Sequence, residues 1–141
     1  MKSKSEPNWQ PIRNLPLIAK LIDGQLTEAK RQYTTLLEAR PKPYVLDDYM
    51  VQRVIRAYTE QLEFLWVYEK QLTKWKKEER LTSSQQSEIS RLQKQLEHSR
   101  KILTDILTLA EEFKKGTIEK VMAKSDLKLG IEFLRSIKKP D

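Results

Sequence analysis

The residues of this chain with chemical potential are few and scattered. His98 is the sole histidine, and by helical phase it lies away from Leu92, Leu96 and Leu103, beside polar Gln95 and Arg91. A zinc site or a general base needs a second ligand or an orienting acid, and no such group stands at a helical spacing from His98. The acidic pairs Asp47-Asp48, Glu78-Glu79 and Glu111-Glu112 are sequence neighbours, so their carboxylates point to different sides of a helix. Neither a carboxylate dyad nor a di-metal site follows, since the latter calls for inward Glu-x-x-His motifs. Without any cysteine there is no thiolate nucleophile, thiolate metal site or disulfide. Gly24 and Gly130 belong to no phosphate-cradling loop. A nucleophile, a base and an electrophilic stabiliser cannot all be assigned. No enzyme, catalytic residue, metal or cofactor is expected.

Two features have functional potential of another kind. Glu69 falls near the centre of an apolar helical arc, between Leu65 and Leu72. A buried acid there needs a partner, and the reading preferred over a ligand-recognising or pH-responsive group is an acid that faces the thinly covered tip or pairs with a lysine or arginine of a neighbouring helix. The segment Lys74-Trp75-Lys76-Lys77, followed by Arg80, sets basic residues around an aromatic, a combination able to bind phosphate and stack a base. Glu78 and Glu79 partly cancel it, and Trp75 is in phase with Phe64, Tyr68 and Met50, which favours a core role. The candidate partner-binding residues are Trp66, Lys74, Trp75, Lys76, Lys77, Arg80, Arg91 and Lys94.

The element that must position most of them is a helix over Asp47–Leu81. At about 100° per residue its apolar residues from Met50 to Trp75 fill an arc of roughly 200°, about twice the stripe of a surface helix. More than one covering neighbour is expected. Before it, Leu15–Ala39 carries a narrower stripe from Leu15 to Leu37, with Pro16 in the first turn, and Arg40-Pro41-Lys42-Pro43 ends that helix. Asp47 or Asp48 can cap the second helix. Within Leu81-Thr82-Ser83-Ser84 a hydroxyl can cap a third, with Gln85, Gln86 or Ser87 completing a weak capping box. The third helix is expected from Ser84 to Lys115, stopped by Gly116. A short helix from Thr117 and a final one from Ser125 to Pro140 should cover its broadened apolar half, Ile102 to Phe113.

These elements predict an all-α fold: an antiparallel helical bundle of three long helices plus a short C-terminal helical segment, forming a single domain over residues 15–139. Residues 1–14 read as a flexible basic tail, ordered where it docks. Helix one is the shorter partner, and its cover should run out near Leu72. That leaves a projecting helix-two/helix-three hairpin, unless the tail folds back and sets Trp9 against Trp75.

A net charge of +7 among 141 residues, with a pI near 9.5, invites a nucleic-acid reading. The excess is diluted, however. Residues 1–14, 15–46 and 117–141 each carry +2, residues 82–116 carry +1, and residues 47–81 are neutral. A dedicated nucleic-acid face concentrates its basic residues. The start holds no apolar run of signal-peptide type and nowhere do about 18 apolar residues occur together, so a cytoplasmic protein with no transmembrane segment is expected. The leading functional expectation is a non-enzymatic helical interaction module, a scaffold, adaptor or regulatory subunit, binding a protein partner or itself as a homodimer. The alternative is a nucleic-acid-associated protein that contacts phosphates through Lys2, Lys4, Arg13, Lys74, Lys76, Lys77 and Arg80.

Overall fold

A computed structural model describes residues 6–42, 46–78 and 80–123. The fold is all-α: among the described residues there is no strand, only a 3-10 turn at Ile12–Asn14 and the helices α1 (Leu15–Ala39), α2 (Asp48–Glu78) and α3 (Ser83–Ala123).

Local chemistry explains where each helix begins. Pro16 occupies the first turn of α1, where its missing N–H removes no helical bond. Asp47 caps α2, its Oδ1 accepting the Met50 N–H at 2.8 Å while its carbonyl accepts the Val51 N–H at 3.1 Å. At α3 a reciprocal capping box forms. The Gln85 N–H donates to Thr82 Oγ1 at 3.0 Å and the Thr82 N–H to Gln85 Oε1 at 2.9 Å.

The helix ends depart from expectation. α2 stops at Glu78 rather than Leu81. α3 runs through Gly116 to Ala123, so Gly116 does not terminate it and Thr117 continues it instead of opening a short helix. Gly116 favours a stop only where the chain turns left-handed, and here its φ is not positive. The helix proposed from Ser125 lies outside the described residues.

α3 is the common surface of the fold. Both α1 and α2 pack closely along it, and their own backbones stand further apart from one another. Leu92, Leu96, Leu103 and Ile106 of α3 are at most 2 % exposed, and they join Ile22 and Leu36 of α1 and Leu65 and Leu72 of α2 in one core. α3 is thus covered by two long helices, and α2 by α3 and by the segment ahead of α1. Cross-helix ion pairs fix the alignment: Arg91 to Asp23 at 2.8 Å, Arg40 to Glu112 at 3.0 Å, and Arg100 to Glu69 at 2.6 Å. α1 reaches Glu112 through its C-terminal Arg40, and the wide apolar half of α3 is buried down to Phe113; the C-terminal helix expected to cover it from Ser125 lies outside the described residues.

The expected bare projection of the hairpin is also revised. Trp75 and Ile89, near its turn, are 2 % and 1 % exposed. Their cover comes from the segment ahead of α1, where Ile12 packs against the core and residues 6–10 cross α2.

Candidate functional site

The arm formed by residues 6–10 is seated on α2 through its main chain and one aromatic ring. The Gln10 N–H donates to Gln71 Oε1 at 2.6 Å, and the Gln10 carbonyl accepts from Trp75 Nε1 at 2.8 Å. Both polar groups of one residue are thus read by side chains one helical turn apart. Gln71 and Trp75 are 4 % and 2 % exposed, so each satisfies a polar atom that burial would otherwise penalise. Trp9 then lies edge-on to Trp66, with ring centroids 6.4 Å apart at 74°. The Lys74 ammonium sits 5.6 Å above the Trp9 ring, and the indole N–H of Trp9 donates to Glu6 Oε1 at 3.0 Å. The link to α1 is local: the Asn14 N–H donates to the Pro11 carbonyl at 2.9 Å and Asn14 Nδ2 to Gln10 Oε1 at 2.6 Å.

Beside the seated arm runs an apolar groove of about 730 Å³. Leu17 and Leu21 of α1, Phe64 and Trp66 of α2, and Trp9 line it, above buried Ile18 and Tyr68. Leu17, Leu21, Phe64 and Trp66 are between 45 and 54 % exposed. Burial raises the Tyr68 phenol above its ordinary pKa, and its ring meets Phe64 edge-on at 5.6 Å.

The candidate residues separate accordingly. Trp66 and Lys74 flank Trp9 and belong to the groove and arm site. Trp75 does not present itself to an outside partner, because its ring is buried and its N–H is used by Gln10. Trp9 therefore meets Trp66, not Trp75. Arg91 is likewise engaged internally, forking onto Asp23 at 3.1 and 2.8 Å and onto Glu88 at 2.9 Å. Hydrogen bonds from Arg91 hold the Asp23 and Glu88 carboxyls below their ordinary range, and the two carboxylates raise Arg91 in turn. Lys76, Lys77, Arg80 and Lys94 are exposed. Lys94 and Arg91 line a shallow cleft with Ser83, Ser87 and Ser90, while Arg13 shares a neighbouring groove with Ser84, Glu88 and Arg91. Lys2 and Lys4 lie outside the described residues.

Glu69 is half-buried and paired with Arg100 of α3, the second of the two arrangements preferred above. His98 is exposed, and among the described residues no group of His, Asp and Glu is placed to hold a metal ion. No helix among those residues is long and apolar enough to cross a membrane.

Sequence periodicity did not single out Gln10, Gln71, Leu17 or Leu21. For the leucines a signal existed: they stand four residues apart, off the main stripe of α1, and so form a second apolar strip. Gln10 and Gln71 carry none, since one acts through its main chain. No protein-family model, curated protein sequence or solved structure matches this chain, so the reading of the site rests on its own geometry.

Proposed function

We propose that this protein is a non-enzymatic interaction module, built as an antiparallel helical bundle around α3, that binds a protein partner or itself through the groove between the arm, α1 and α2. The observation that carries this reading is the group of four large apolar side chains, Leu17, Leu21, Phe64 and Trp66, exposed together in one groove. A contiguous apolar surface of this kind marks an interaction site, and covering each half-exposed side chain contributes about 1 kcal/mol. The rim is mixed in charge, with Lys74 beside Trp9 and Glu6 bonded to it. The test is site-specific photo-crosslinking in native lysate, with the reactive residue at position 64 or, as control, at exposed Thr104 of α3. Adducts from position 64 and not from position 104 are expected, and equal yields from both would remove the proposal.

A second reading, phosphate binding to nucleic acid, draws on the position of Arg13 beside the first turns of α3, where Lys76, Lys77 and Arg80 near the hairpin turn add exposed positive charge. Retention on DNA or RNA at low salt that falls steeply with added salt supports it, and no retention at low salt removes it.

A further inference from the structure

We infer that the arm is exchangeable, so that the site on α2 formed by Trp66, Gln71, Lys74 and Trp75 binds the arm of a second copy of this chain as well as its own. This rests on the interaction-module reading and names the partner. The seated arm is itself the ligand. Its recognition is complete within residues 6–10, through the two main-chain bonds of Gln10 and the Trp9 ring packing. The link back to α1 contributes the bonds of Asn14 to Pro11 and Gln10 and the packing of Ile12 against the core. Rotation of the backbone at this link swings the arm outward without altering the arm or its receptor. The same hydrogen bonds and ring packing that seat the arm within one chain then re-form between two.

Exchange also accounts for the exposed leucines. Leu17 and Leu21, 54 % and 45 % exposed, lie within the first two turns of α1 after the link, and Phe64 at 50 % faces the same groove. Reciprocal exchange about a two-fold axis brings the two links together, and with them these apolar residues of both copies. The closed monomer leaves that surface in water, so its burial favours the exchanged pair.

The test uses the full-length chain. Equal amounts of ¹⁴N- and ¹⁵N-labelled protein are mixed, concentrated and treated with an amine-reactive crosslinker, and the assembly state is followed by sedimentation from about 1 µM to about 1 mM. Lys2 and Lys4 precede the arm in sequence, Lys74 is part of its receptor, and Lys70 stands next to Gln71 in the chain. A concentration-dependent dimer is expected, with crosslinks from Lys2 or Lys4 to Lys70 or Lys74 that join light and heavy chains. Leu17→Ser with Leu21→Ser, helicity verified by circular dichroism, removes apolar surface that only the exchanged pair buries and should weaken the dimer at least about thirtyfold, whereas Trp9→Ala, whose packing is the same in both forms, should change the dimer constant little. A monomer throughout that range overturns the proposal, and photo-crosslinking from position 64 then reports separately on whether the groove serves another partner. A dimer whose arm-to-α2 crosslinks all stay within one isotope also overturns it, while leaving self-association as the module's function.

Discussion

The two bonds to Gln10 make a demanding prediction, because they tie one residue of the arm to two side chains of one helix. Trp75→Phe removes the indole N–H that donates to the Gln10 carbonyl at 2.8 Å and thins a ring that is 2 % exposed. The missing hydrogen bond and the small void together cost about 2 kcal/mol. Gln71→Leu removes the acceptor of the 2.6 Å bond from the Gln10 N–H. It places an apolar group of similar length in the buried site, at a cost of about 1 kcal/mol. Independent ties would give a double variant destabilised by about 3 kcal/mol. Once either tie is cut the arm is free to lift, and much of the other bond goes with it. The double variant should therefore be destabilised by only about 2 kcal/mol, a coupling of about 1 kcal/mol. Urea unfolding at one low protein concentration, read from midpoints at constant m-value, measures all four corners of the cycle. Effects that add to within about 0.3 kcal/mol would show that the two bonds act separately and that the arm is not held as a unit.

Three further outcomes are expected. The Asp23 and Glu88 carboxyls are held low by Arg91, so their stabilisation is fully present above their ordinary values and disappears as pH falls through the lowered ones. With these side chains 34 to 44 % exposed, Arg91→Met should cost about 1 kcal/mol at neutral pH, and in urea titrations that cost should shrink progressively as pH falls below the ordinary carboxylate range. A Cβ at Gly24 or Gly116 would meet no atom within 4 Å, so Gly24→Ala and Gly116→Ala should each stabilise by about 0.5–1 kcal/mol. Asp47→Ala and Thr82→Ala each remove a helix cap and should lower thermal stability by about 1 kcal/mol apiece.

The helix starts were readable in the sequence because each is governed by local chemistry. Pro16, Asp47 and the Thr82/Gln85 pair act within one turn. The stripe from Leu15 to Leu37 likewise foretold most of the buried side of α1, since periodic burial leaves a periodic pattern, although Leu37 at its end is 38 % exposed. Gly116 misled because glycine's preference for a helix end yields wherever its neighbours continue the helix. The breadth of α2's apolar arc misled for a different reason. Tyr49, Met50, Phe64 and Trp66 lie within or beside it and are 45 to 69 % exposed, because an arc records what a helix can bury and not what covers it. The arm site was the least readable. Its main determinants are a main-chain N–H and C=O at Gln10, and every residue but proline has both.

The shared role of α3 orders the folding reaction in time. α2 and α3 are joined by only residues 79–82, so the loop that closes to pair them is short and its entropic penalty small. α1 instead meets α3 through side-chain bonds spanning 68 and 72 residues, from Asp23 to Arg91 and Gln95. The hairpin of α2 and α3 should therefore assemble first and offer a formed surface on which α1, and with it the arm, docks late. Core substitutions in α1, such as Leu26→Ala, should then act on the unfolding rate and leave refolding nearly unchanged. Substitutions at Leu65 or Leu96 should slow refolding.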